Sequence, residues 1–99
     1  MRLDPASIPL LITEARAVFG ESAELWLFGS RVNDAAKGGD IDLYVETEDN
    51  THQLDHRLDF LLRLSRLLGD QRVDLLIHSH TQPLQPIHRI ARKTGIRLA

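Results

Sequence analysis

Three aspartates carry the chemistry open to this chain. Asp40 and Asp42 flank Ile41 in Asp40-Ile41-Asp42-Leu43-Tyr44-Val45, and Asp74 interrupts a second apolar run, Val73-Asp74-Leu75-Leu76-Ile77. Alternate side chains of a strand share a face, so Asp40 and Asp42 project together while Ile41, Leu43 and Val45 point the other way. Carboxylates are rarely buried without a partner, and close like charges disfavour ionisation unless a cation lies between them. Oxygen-only ligands suit Mg²⁺, with water and phosphate completing the shell. Upstream, the apolar run Leu25-Trp26-Leu27-Phe28 breaks at Gly29-Ser30. Gly29 permits a tight turn that brings backbone close to whatever lies above the strand end. Ser30 is placed to cap a short helix over residues 32–36, whose free N–H groups would attract phosphate. Carboxylates and turn together describe a site for a Mg²⁺-nucleotide. Two ions roughly 3.5–4 Å apart there would clamp an in-line displacement at phosphorus.

The elements that must position these groups are legible in outline. Asp4-Pro5 marks a helix start, and Ile8, Leu11, Ile12, Ala15 and Phe19 continue it as an apolar stripe ending by Gly20; Pro9 shifts the regular part downstream. Leu25 to Phe28 reads as a strand covered on both faces, with Trp26 in the core. After a polar break at residues 50–52 comes a long helix. Its apolar face is predicted to hold Leu54, Leu58, Leu61, Leu62, Ser65 and Leu68, with Asp55, Arg57, Asp59, Arg63 and Arg66 off that stripe and Gly69-Asp70 as its stop. Residues 72–77 form a third strand in which Asp74 shares a face with Leu76. Residues 83–93 form a last helix with Ile87, Ile90 and Ala91 inward, and Gly95 separates it from a small edge strand at Ile96-Arg97-Leu98. His52 and His56, four apart on the long helix, read as a solvated face, and His78, His80 and His88 as ordinary polar or rim residues.

Composition bounds the rest. Ninety-nine residues with 42% hydrophobic side chains make one domain, spanning residues 1–99, around one core. A formal net charge of −2 supplies no overall field for a nucleic-acid backbone, so direct DNA binding is not expected. With no cysteine, disulfides, thiolate catalysis and cysteine-based zinc sites are excluded. Neither a membrane-spanning run nor a signal-like start is present in the sequence, which predicts a cytoplasmic protein.

Gly29-Ser30, nine residues, then Asp40-Ile41-Asp42, with Asp74 in a later apolar strand, resembles the minimal nucleotidyltransferases of the DNA polymerase beta superfamily. The resemblance extends over essentially the whole chain and implies an α/β (α+β) fold, a small mixed sheet with helices mainly on one side. Position by position, it implies that Asp40 and Asp42 bind both Mg²⁺ ions. Asp74 would bind the catalytic ion and help deprotonate the attacking hydroxyl, and Gly29, Ser30 and Arg31 would hold the triphosphate. Many members carry Gly-Ser-Arg-Ala-Arg-Gly, whereas this chain has Arg31-Val32-Asn33-Asp34 after the Gly-Ser pair, with an acid in the phosphate-facing segment.

The implied reaction moves a nucleoside monophosphate, AMP from ATP, onto a hydroxyl and releases pyrophosphate. A chain of this length has no room for a separate acceptor domain. Stand-alone members are commonly encoded with a helical HEPN-domain toxin and act as its antitoxin, in some pairs adenylylating a toxin tyrosine. That is the biology the resemblance implies here; the alternative is a binding module that neutralises such a partner by complex formation. A homodimer is the other assembly expected, should the long helix or the last helix expose apolar surface.

Overall fold

The computed structural model describes residues 5–28, 40–48, 53–69 and 72–99, together with the backbone of Asp40 but not its side chain. A 3₁₀ turn at Pro5–Ser7 leads into α1, Ile8–Phe19, with Pro9 in its first turn, where a missing N–H costs nothing. Strands β1 (Glu24–Phe28) and β2 (Asp40–Thr47) follow, then α2 (Gln53–Leu68), β3 (Arg72–Ser79), α3 (Pro86–Thr94) and the two-residue β4 (Ile96–Arg97). Asp4, expected to cap the first helix, and the expected short helix at 32–36 lie outside the described residues.

The four strands lie in the order β3-β2-β1-β4. β1 runs antiparallel to both β2 and β4, and β2 runs parallel to β3 with α2 as the crossover between them, so the sheet is mixed. One face carries Leu25, Leu27, Ile41, Leu43, Val45 and Ile77, covered by Leu11, Ala15 and Phe19 of α1 and Phe60 and Leu64 of α2. The other carries Trp26 and Tyr44 under Ala91 of α3, with Phe28 and Leu76 beside them. Two helices on one face and one on the other is the expected α+β architecture. Trp26 is a core residue, as its neighbours in the sequence suggested, and the guanidinium groups of Arg92 and Arg97 each lie 5.4 Å from its ring centre.

Two inward faces differ from expectation. On α2 the buried residues are Phe60 and Leu64, supported by Leu67 and Leu68, whereas Leu54, Leu58 and Leu62 are exposed. The helix bears two apolar stripes, and periodicity cannot say which one meets the sheet. On α3, Ile87 and Ile90 are exposed while His88 and Ala91 are buried. The face of α3 turned to the sheet is the one that sets Ala91 on Trp26 and Tyr44 and the His88 ring against that of His78.

Gly69 ends α2 with φ of 75° and donates its N–H to the Ser65 carbonyl at 2.9 Å, a left-handed closure that glycine adopts without strain. Gly95 has a different reason to be glycine. A Cβ there would lie 2.4 Å from the Ala91 carbonyl oxygen, 3.0 Å from that of Leu27 and 3.1 Å from Phe28 Cβ. Two of these neighbours are backbone and cannot rotate away. Gly95→Ala is therefore expected to cost about 1–3 kcal/mol through overpacking, read as a lower urea midpoint; an unchanged midpoint would show that α3 and β4 shift freely on β1.

Candidate active site

The face of the sheet under α3 holds the candidate residues. In the parallel pair of β2 and β3, Asp42 is registered with Asp74, so both occupy the same face of strands about 4.8 Å apart. Across the other side of β2, Asp42 is registered with Phe28, the last residue of β1 and the one before Gly29-Ser30. Two carboxylates at matched positions of adjacent strands repel, a cost of some tenths of a kcal/mol that a purely structural sheet has no reason to bear. Asp42 is half-buried, and the Asp74 side chain is 50% exposed, with Arg72 Nε 3.7 Å from its Oδ1. That long, solvated ion pair neutralises little.

Asp40 begins β2, and its backbone is registered with Arg72; its side chain, and the whole of Gly29, Ser30 and Arg31, lie outside the described residues, as does the Asn33-Asp34 segment. Among the described residues no group of three or more acidic, histidine or cysteine side chains is arranged so that it could hold a metal ion. What the structure brings together is the pair Asp42 and Asp74, at the strand end from which the Gly-Ser segment departs. The donor set is all oxygen and partly solvated, which fits a hard divalent cation that retains water.

Farther along the same face lies a cluster that sequence reasoning missed. Glu46, only 3% exposed, accepts a short hydrogen bond from the Tyr44 hydroxyl. Its Oε2 lies 2.9 Å from His78 Nδ1 and 3.1 Å from His80 Nε2. The other ring nitrogen of His78 faces the carbonyl oxygens of Gln82 at 2.9 Å and Pro83 at 3.1 Å. All the partners of the His78 ring are acceptors, so a ring carrying both protons donates at both ends. It ties β3 to the turn that leads into α3. The His88 ring stacks 4.4 Å from that of His78, and its Nδ1 accepts the Gln85 backbone N–H at 3.0 Å. His78 and His88 are buried and are not rim histidines, whereas His80, half exposed, is one. Strand parity offered a signal, since Asp42, Tyr44 and Glu46 alternate onto one face, but the partners of Glu46 are visible only once β2 and β3 are registered.

Burial, and then the neighbouring His78, push His88 below the ordinary histidine range, with Glu46 opposing. The geometry agrees, because a proton on Nδ1 would meet the Gln85 N–H. The unfolded chain therefore takes up this proton first, so stability is complete above about pH 6.5 and declines as pH falls through that value toward the lower folded one. His88→Gln keeps an acceptor at this position and removes the titration. Thermal midpoints between pH 7 and 5 are expected to fall less steeply in the variant than in the wild type; equal slopes would assign the acid sensitivity elsewhere.

The fold and the carboxylate pair define an α+β protein with an acidic, cation-compatible strand end on a mixed sheet. The sequence model of the family described as "Polymerase beta, Nucleotidyltransferase" matches residues 18–98, and the chain belongs to that family. Nucleotidyl transfer is the activity of the class, and its fold usually employs a nucleotide substrate and a divalent metal. Among curated proteins, none matches the sequence. Among the described residues no helix is long and apolar enough to cross a membrane.

Proposed function

We propose that this chain is a Mg²⁺-dependent nucleotidyltransferase that moves AMP from ATP to a protein hydroxyl, a tyrosine of a HEPN-domain toxin, and so acts as an antitoxin. The observation that carries the catalytic part is the register of Asp42 with Asp74 beside the strand end that leads to Gly29-Ser30. The acceptor part is supported by the resemblance to stand-alone members encoded with such partners.

In this reading Asp40, Asp42 and Asp74 hold two Mg²⁺ ions, and Gly29, Ser30 and Arg31 hold the triphosphate. The ions, when bound, neutralise phosphate charge and acidify the acceptor hydroxyl. Asp74 takes up or passes on the hydroxyl proton as the acceptor oxygen bonds to the α-phosphorus. The bond from that phosphorus to the bridging oxygen breaks, and pyrophosphate leaves. No covalent enzyme intermediate is needed, so orientation and electrostatic stabilisation supply the rate.

The test is transfer of label from α-³²P-ATP with Mg²⁺ to proteins co-purified from the native lysate, beside the Asp74→Asn protein. A labelled partner that disappears with the substitution supports the reading and identifies the acceptor. A co-purified partner that stays unlabelled with every nucleotide favours the second reading, neutralisation by complex formation, which Asn33-Asp34, standing where many family members carry a second basic residue and a glycine, supports.

A further inference from the structure

The outer face of α2 has the composition of an interface. Leu54, Leu58 and Leu62 are 67%, 54% and 60% exposed, and their four-residue spacing places them in one row on the side of the helix away from the sheet. Beside this row the exposed charges are divided by sign along the helix. Asp55 and Asp59 lie in its N-terminal half and Arg66 in its C-terminal half.

We propose that this face is a two-fold interface between two copies of the chain, with α2 packed antiparallel on α2. A parallel arrangement would set Asp55 against itself; Asp59 is already held at 3.1 Å by Arg63 of its own helix. The antiparallel arrangement instead lays the acidic half of one helix along the basic half of the other. With the axis near Phe60 and Leu61, Leu58 meets Leu62 of the second copy and the reverse, Leu54 lies on the aliphatic stem of Arg66, and Asp55 reaches its guanidinium. The patch is thus complementary to itself, the condition for a closed dimer rather than an open chain of subunits.

A single helix face of about four turns falls short of the roughly 800 Å² per partner of a standard interface. The association is accordingly reversible and concentration-dependent. It also leaves the nucleotidyl-transfer face open, because α2 covers the side of the sheet opposite Asp42 and Asp74.

The test is sedimentation equilibrium from about 1 μM to about 1 mM, with circular dichroism to confirm folding of each variant. The wild type is expected to pass from monomer to dimer across this range. Leu58→Glu, which places two carboxylates in the apolar contact, is expected to weaken the dimer at least about a hundredfold. Asp55→Arg and Arg66→Asp are each expected to weaken it a few-fold, to about fivefold, and the doubly exchanged protein to recover near-wild-type association. A wild type that stays monomeric throughout, as it would if the face served only a foreign partner, overturns the proposal. So does a Leu58→Glu dimer of undiminished affinity, or a double exchange weaker than either single one. Should Leu58→Glu fail to fold, the charge exchanges decide on their own.

Discussion

Asp74→Asn is expected to lower nucleotidyl transfer by about 10²–10⁴-fold while leaving the fold as stable as before or slightly more so. The two directions come from the same geometry. Asn has the shape of Asp but neither the negative charge that binds a cation nor the basicity that accepts the acceptor's proton. In the unliganded protein, that charge lies in register with Asp42 on the neighbouring strand, and its removal relieves a repulsion worth some tenths of a kcal/mol. The ion pair with Arg72, at 3.7 Å and largely in water, offsets little of this gain. Asp42→Asn is expected to lose transfer at least as strongly, since Asp42 is assigned to both ions. The measurement is single-turnover label transfer over a Mg²⁺ titration, paired with a thermal midpoint on the same preparation. Were the carboxylates structural, the outcome would invert, with a lowered midpoint in the Asn variants. Transfer within tenfold of wild type would remove Asp74 from the reacting centre.

Strand parity was the informative part of the sequence. In β2, alternation alone assigns Ile41, Leu43 and Val45 to one face and Asp42 to the other, and the structure buries those three under α1 and α2. β3 divides in the same way, with Ile77 packing on that core and Leu76 beside Trp26 and Tyr44. Local alternation suffices because a strand has only two faces and a wrong choice would expose every apolar residue.

Helix rotation was less legible. Along α2 the leucines at 54, 58 and 62 form as convincing a stripe as Phe60, Leu64, Leu67 and Leu68, and only contact with the sheet chooses between them. The polar tethers follow that choice. Arg57 Nη1 donates to the Leu75 carbonyl at 2.7 Å, and Arg63 Nη1 meets Glu14 Oε1 at 2.8 Å. The sequence places each of these partners on a different element, so a periodicity confined to α2 carries no information about them. Of the residues assigned to the core stripe, Leu68 packs against the core, whereas Leu54, Leu58 and Leu62 face outward and form the row on which the proposed interface rests.

Glu46→Ala is expected to destabilise the protein by about 2–6 kcal/mol, about 1–3 for each of the two buried groups, the Tyr44 hydroxyl and the His78 ring, that lose their hydrogen-bond partner. The carboxylate is 3% exposed and gathers Tyr44, His78 and His80, so its loss leaves the Tyr44 hydroxyl without its acceptor and the His78 Nδ1 without its partner. The damage should spread along the chain. His78 also holds the Gln82 and Pro83 carbonyls, and through that turn it sets where α3 begins. Hydrogen exchange in residues 86–94 is therefore expected to accelerate more than in α1. The cost belongs to the unpaired survivor and not to the pair as such, so Glu46→Leu combined with His78→Leu should be less destabilised than Glu46→Ala alone.

Tyr44 reports the same event independently. Burial, then its hydrogen bond to Glu46 and the charge behind it, push the phenol well above the ordinary tyrosine range. In Glu46→Ala the hydrogen bond and the Glu46 charge are gone, leaving burial with the smaller, opposed effects of Arg92 and Glu24, so ultraviolet titration should show Tyr44 ionising at lower pH than in the wild type. If the alanine variant loses less than about 1 kcal/mol and Tyr44 titrates unchanged, Glu46 is not the centre of the cluster. The anchoring of α3 would then rest on Ala91 packing against Trp26 and Tyr44 alone.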